Sequence, residues 1–167
     1  FLTFSSIGES DFRTRFDQAD ISSVHEYKVS DYRPMGGTPL YDAMGTALTD
    51  LEQVATEKDI VLVTVITDGH ENSSRKYNAE KICNLIARLD EKDWVFTYIG
   101  ANQDAILEAE RLGIRNAMNY DADLDGTREM WEKERSSRTR FLEGARTGTE
   151  KKRLKNNYFI NSGDYEQ

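Results

Sequence analysis

The sequence has one cysteine, Cys83, and lacks any apolar stretch of membrane-spanning length. A single cysteine cannot form a disulfide within the chain, and its apolar neighbours Ile82 and Leu85 favour a small buried side chain over a reactive thiol. A membrane-spanning helix needs about twenty apolar residues, and the apolar run at residues 60–66 is far shorter. We therefore expect no membrane insertion, and we expect a cytoplasmic protein.

Positive charge is also in deficit, with 22 Lys and Arg against 30 Asp and Glu and a net charge of -8. An acidic surface repels polyanions, which argues against general binding to nucleic acid or to anionic membranes. The 167 residues are enough for one domain with a hydrophobic core. We expect a protein partner and no nucleic acid, and the oligomeric state stays open.

Strand-like and helix-like patterns alternate along the chain. The predicted strands lie at residues 1–5, 24–29, 60–67, 94–99 and 117–120. Four helices are predicted. The first begins at Pro39 and carries apolar residues at helical spacing: Leu40, Met44, Leu48, Leu51 and Val54. The second lies around residues 82–89, the third at 105–112, and the charged fourth at 127–142 has the apolar side chains Trp131, Phe141 and Leu142. This order predicts an α/β fold with a doubly wound, mostly parallel sheet and helices on both faces.

Two segments bring oxygen atoms toward one edge of this sheet. A Gly-Gly turn leads to Thr38 at the predicted cap of a helix whose first residue is Pro39. The apolar strand at 60–67 ends at Asp68. Ligands of such folds bind beyond the carboxyl ends of the strands, so we expect Thr38 and Asp68 to lie close together. Hydroxyl and carboxylate oxygens suit a divalent cation such as Mg²⁺, Mn²⁺ or Ca²⁺.

The same residues carry a resemblance to a known family. Gly-Gly-Thr-Pro-Leu-Tyr-Asp-Ala at 36–43 and Val-Ile-Thr-Asp-Gly-His-Glu-Asn-Ser-Ser-Arg at 65–75 resemble the von Willebrand factor A (vWA) domain in its bacterial form. The stretch at 94–105 is similar to the fifth strand of that family and the loop after it. The resemblance covers about residues 1–120. It implies a metal-ion-dependent adhesion site to which Thr38 and Asp68 contribute.

The sequence departs from the family at the first loop of that site. The Asp-x-Ser-x-Ser motif that follows the central strand of the family does not occur here in a suitable context. The resemblance then implies an N-terminally incomplete vWA-like domain at 1–143, followed by a polar, loosely held tail at 144–167. It also implies a gap in the sheet where the central strand would lie, filled by upstream residues or by another molecule. Two protein oxygens hold Mg²⁺ poorly, so we expect a weak or empty site in this chain alone.

Three functions are compatible with these residues. The favoured one is a noncatalytic binding module, in which a partner's Asp or Glu carboxylate fills an open position on the cation. The alternative is a metal-dependent phosphoryl-transfer or hydrolytic enzyme that uses Asp68. It would need a lysine or a second acidic cluster, whereas the neighbouring strand ends offer Ser5, Ser6, Asn102 and Asp104. A nucleotide-binding domain is weaker still, because residues 36–38 have neither the Walker spacing nor its lysine.

Four neighbouring features have simpler interpretations. Asp42 either supports the metal site through a hydrogen bond or favours the helix N-terminus electrostatically. We expect His70 and Glu71 to belong to a solvated loop rather than to a catalytic pair. Residues 72–74 are expected to form a polar loop that leads into the next helix.

Overall fold

The residues that the structure describes form two sheets, one antiparallel with two strands and one parallel with three. The computed structural model describes residues 2–7, 9–14, 20–24, 28, 36–101, 105–147 and 155–159. Its elements, in chain order, are β1 (Leu2–Ile7), β2 (Glu9–Thr14), a 3-10 turn (Ile21–Ser23), α1 (Leu40–Val54), β3 (Leu62–Thr67), α2 (Ala79–Asp90), β4 (Val95–Ala101), α3 (Ala105–Leu112), β5 (Asn116–Tyr120) and α4 (Leu124–Arg146). The α/β class is therefore confirmed. None of the helices in these described ranges is long and apolar enough to cross a membrane.

The chain divides into two compact units. The first comprises Phe1–Val54 and His70–Ile82, and the second comprises Ala55–Gly69 and Cys83–Gln167. The first unit therefore holds β1, β2, α1 and the loop that leads into α2. The second unit holds the three-stranded sheet, most of α2, and helices α3 and α4.

A β-hairpin opens the first unit. Strands β1 and β2 pair in antiparallel register, with Phe4 opposite Phe12. The strand predicted at residues 1–5 is thus confirmed, but its partner β2 lies where no strand was predicted. The strand predicted at 24–29 lies mostly outside the described residues.

Helix α1 buries only its first half. Leu40, Met44 and Leu48 are buried, as their helical spacing predicts. Leu51 and Val54 are 37% and 48% exposed, so the buried stripe ends at Leu48, nearly two turns earlier than expected.

In the second unit, the sheet has the order β3-β4-β5 with all strands parallel. Ile66 of β3 lies opposite Ile99 of β4, which lies opposite Met118 of β5. The strands predicted at 60–67 and 94–99 are therefore neighbours, as expected. Every residue of β4 is buried. Strand β3 is only partly buried because it lies at one edge, where no other described strand pairs with it.

Helix α4 is longer than predicted and buries a different face. The Asp123 carboxylate accepts the Gly126 backbone N–H at 2.7 Å and so caps the helix. Met130 packs with Ile99, and Phe141 packs with Val95. The expected apolar stripe is wrong for two of its members, Trp131 and Leu142, which are exposed.

A short C-terminal segment, residues 155–159, also belongs to the core of the second unit. Tyr158 is 1% exposed and joins the cluster of Val95 and Phe141. The Asn116 side chain donates to the Lys155 carbonyl at 2.8 Å and accepts the Tyr158 N–H at 3.1 Å. The tail at 144–167 was expected to be loosely held because its residues are mainly polar. For residues 155–159 that expectation is wrong, since these contacts hold them in the core. The last turn of α4 likewise extends beyond the expected boundary at 143.

Candidate functional site

Thr38 is positioned through its backbone. Its N–H donates to the Asn72 side-chain oxygen at 2.7 Å, and its carbonyl accepts the Asn72 N–H at 3.2 Å. The close approach requires Gly37, because a Cβ there would lie 2.7 Å from the same Asn72 oxygen. The Thr38 hydroxyl has no hydrogen-bond partner among the described residues.

The N-terminus of α1 is capped by Glu71 and not by Thr38. The Pro39 carbonyl accepts the first helical hydrogen bond, from Ala43, so Pro39 occupies the cap position and the prediction for Thr38 is wrong. The Glu71 carboxylate accepts the Tyr41 N–H at 2.8 Å. A carboxylate at this place also matches the positive end of the helix dipole.

Glu71 orders its own loop as well. One carboxylate oxygen accepts the backbone N–H groups of Ser73 and Ser74 at 2.8 and 2.7 Å, and the other accepts the Ser74 hydroxyl at 2.6 Å. The expectation of a solvated loop is therefore wrong for Glu71. His70 is exposed, as expected.

Asp42 fastens the segment that leads into α2. Its carboxylate is 4% exposed and accepts the backbone N–H groups of Arg75, Lys76 and Tyr77, each at 2.8 Å. Burial raises the pKa of Asp42, but these hydrogen bonds outweigh it and lower the pKa overall. We call Asp42 and Glu71 the carboxylate clamp. Asp42 thus acts by accepting hydrogen bonds from the loop, which goes beyond a purely electrostatic effect on the helix.

Asp68 lies in the second unit, directly after the last residue of β3. It is exposed and forms no ion pair with a described residue. The Thr67 hydroxyl donates to the Gly69 carbonyl at 2.9 Å and accepts the Gly69 N–H at 3.2 Å, which fixes the turn on which Asp68 lies. Burial first, and then the negative charge of Asp68, raise the pKa of Tyr120 at the end of β5. The Asp68 carboxylate and the Tyr120 phenol therefore share the carboxyl-end edge of the sheet.

The predicted metal ligands satisfy the requirement for ligand type but are few. Thr38, with its hydroxyl, belongs to the first unit, and Asp68, with its carboxylate, belongs to the second. In the described part of the chain, no group of three or more His, Cys, Asp or Glu residues could hold a metal ion. Asn102 and Asp104 lie outside the described residues.

No protein-family model, curated protein or solved structure matches this chain. The resemblance to the vWA domain therefore stays a prediction from the sequence motifs. The structure adds two residues that the motifs do not include: Asn72, which is hydrogen-bonded to Thr38, and Tyr120, whose pKa is raised in part by the charge of Asp68.

Proposed function

We propose that the chain is a noncatalytic binding module that recognises an Asp or Glu side chain of a partner protein through a divalent cation, with Mg²⁺ as the first candidate. The observation that carries the proposal is the position of Asp68. It is an exposed carboxylate without an ion pair to any described residue, and it follows a strand of a parallel sheet at the edge where α/β proteins bind ligands.

The charge of the protein favours an acidic ligand only if a cation is present. The chain carries a net charge of -8, and Asp68 already raises the pKa of the neighbouring Tyr120 by its negative charge. A free carboxylate would be repelled from this edge. A cation bound by Asp68 reverses the local sign.

The resemblance to the vWA domain would add Thr38, through a neutral hydroxyl, as a second protein ligand. One carboxylate and one hydroxyl leave most of the charge of a divalent cation uncompensated. The cation would therefore attract a further carboxylate into a position otherwise held by water.

Binding is favoured over catalysis by the groups beside Asp68. The Thr67 hydroxyl is engaged with Gly69 on both its donor and its acceptor side. The raised pKa of Tyr120 keeps that phenol protonated at neutral pH, so it does not act as a general base.

Paramagnetic Mn²⁺ provides the test. In amide NMR spectra of the full chain, we expect substoichiometric Mn²⁺ to broaden the signals near Thr38 and Asp68, and excess Mg²⁺ to reverse the broadening. An Asp-containing peptide should then bind only in the presence of metal. Asp68→Asn should abolish both effects, Thr38→Ala should weaken them, and Asp125→Asn, a change at an exposed carboxylate on α4, should alter neither.

Two results would overturn the proposal. Peptide binding that persists in Asp68→Asn with excess chelator would exclude the cation. Mg²⁺-dependent hydrolysis of p-nitrophenyl phosphate that is lost in Asp68→Asn would favour the enzymatic alternative.

A further inference from the structure

The exposed face of α4 carries three large apolar side chains. Leu124, Trp131 and Leu142 are 88%, 49% and 46% exposed. At about 3.6 residues per turn, Trp131 lies about two turns after Leu124 and Leu142 lies about five turns after it. The three side chains therefore lie along one line on the helix surface.

An arginine follows each of these residues four positions later: Arg128, Arg135 and Arg146, all of them exposed. Side chains four residues apart lie on the same helix face, so apolar and guanidinium groups alternate along a stripe about 33 Å long. We call these six residues the basic stripe. Arg135 and Arg146 form no ion pair with a described residue, and Arg128 is only 4.0 Å from an exposed Asp125.

The basic stripe is not needed for the packing of α4. The buried side of the helix is formed by other residues, Met130, Glu134, Ser137 and Phe141. The stripe also has the opposite sign to the protein as a whole, whose net charge is -8. Glu132 and Glu143 lie on the adjoining face, so the sign of the charge changes across the helix and would orient a charged partner.

We propose that the basic stripe binds an acidic amphipathic helix of a partner protein. Apolar side chains of the partner would cover Leu124, Trp131 and Leu142, and its Asp and Glu side chains would pair with the arginines, which bind carboxylates through two parallel hydrogen bonds. Leu124, Trp131 and Leu142 are 7 and 11 residues apart, which keeps them on one face of the helix and so suits a partner that lies along that face. The basic stripe is one helix face wide, so a single acidic helix can lie on it without facing the acidic remainder of the surface, whereas a nucleic acid or an anionic membrane is a larger polyanion that would face that remainder as well. This docking does not depend on a cation at Asp68.

Two synthetic peptides of identical composition test the proposal on the full chain in the presence of chelator. One arranges leucines on one helix face with flanking glutamates, and the other has the same residues in scrambled order. The chain has two tryptophans, and Trp94 is 5% exposed, so iodide quenching of fluorescence reports mainly on Trp131. We expect the ordered peptide to protect Trp131 from the quencher and the scrambled peptide to leave it accessible.

Arg135→Glu and Lys133→Glu form a matched pair. Both positions are exposed on α4 and undergo the same charge change, but Lys133 lies on the other side of the helix. We expect Arg135→Glu to weaken binding of the ordered peptide by about tenfold or more and Lys133→Glu to change it by less than about twofold. Trp131→Ala should also weaken binding, as followed by calorimetry, while the circular dichroism spectrum stays unchanged.

The proposal is wrong if both peptides bind alike or if the two charge reversals have equal effects. A dimer that forms without peptide and dissociates in Trp131→Ala would assign the stripe to a second copy of the chain. Tighter binding to phosphatidylserine vesicles or to single-stranded DNA than to the ordered peptide would likewise overturn it.

Discussion

The carboxylate of Asp42 accepts the backbone N–H of Tyr77 at 2.8 Å. The ring of Tyr77 in turn lies against Gly45, where an added Cβ would be 2.5 Å from ring carbons. The loop before α2 is thus joined to α1 by a charge-assisted hydrogen bond and, one turn further on, by a close ring contact. These two contacts, together with Glu71, determine the conformation of the loop that holds Thr38.

Asp42→Asn should destabilise the protein strongly. The substitution replaces one carboxylate oxygen by an NH₂ group that faces backbone N–H donors, so buried donors lose their acceptor. We expect a loss of about 3 kcal/mol in the free energy of unfolding, measured by urea denaturation. Asp50→Asn, at an exposed position of the same helix, should change stability by less than about 0.5 kcal/mol.

The contribution of Asp42 should also depend on pH. Its pKa is lowered in the folded state, so the unfolded chain takes up the proton first as the pH falls. The stabilisation is therefore complete above the unfolded pKa of about 3.9 and is lost as the pH falls toward the lower folded value. The stability difference between the wild type and Asp42→Asn should shrink below about pH 4. An unchanged difference at pH 7 and pH 3 would contradict the assignment.

Gly45→Ala should destabilise the protein although alanine favours helices. The helix propensity gains about 1 kcal/mol, but the new methyl group would overlap the Tyr77 ring, and forced overpacking typically costs about 1–3 kcal/mol. Removing the Tyr77 ring tests whether this overlap causes the destabilisation. In a Tyr77→Ala background, Gly45→Ala should be neutral or stabilising in thermal unfolding, and an equal loss in both backgrounds would refute the steric explanation.

Asn116→Ala should release residues 155–159 from the second unit. The substitution removes the donor to the Lys155 carbonyl and the acceptor for the Tyr158 N–H, and it leaves buried backbone groups unpaired. We expect faster proteolysis after Lys155 and faster amide exchange at Tyr158. Asn84→Ala, on the exposed face of α2, provides the control and should leave both rates unchanged.

Asp68→Asn should lower the pKa of Tyr120. Negative charge at Asp68 is one of two causes of the raised value, and the substitution removes it. Burial is the larger cause, so the pKa should fall but stay above the ordinary tyrosine value of about 10. NMR titration of ring-labelled tyrosine measures the shift in the absence of metal. No shift would mean that the two side chains are farther apart than the structure places them.

The strands and helices that show a regular spacing of apolar residues could be predicted from the sequence. Strands β3, β4 and β5 and helices α1, α2 and α3 all lie where apolar periodicity places them, because each buries a regular set of side chains. Strand β2 was missed because its sequence, Glu-Ser-Asp-Phe-Arg-Thr, contains only one apolar residue and pairs through its backbone. The face of α4 was misassigned because the helix buries Glu134 and Ser137, which a hydrophobicity pattern places outside.

The site was predictable only in part. The assignment of Thr38 and Asp68 to a metal site stays a prediction from their motifs, whereas the end of β3 at Thr67, just before Asp68, agrees with the expected strand boundary. Glu71 accepts the N–H groups of Ser73 and Ser74, which the sequence did not indicate, because the side chains that commonly make such local bonds are the shorter Asp, Asn, Ser and Thr. Its capping of Tyr41, thirty residues earlier, depends on tertiary structure and has no local signal.

The buried position of Tyr158 has a consequence for how the protein is made on the ribosome. Val95 and Phe141 are translated well before Tyr158, yet the three share one cluster. A nascent chain in which only the three strands have left the ribosome still lacks Phe141 and Tyr158 of that cluster. The second unit therefore cannot complete its core until residues 155–159 have been made. Contacts between residues as far apart in sequence as Val95 and Tyr158 form slowly and leave apolar surface open meanwhile, so we expect chaperones to bind the second unit mainly before residues 155–159 have emerged from the ribosome.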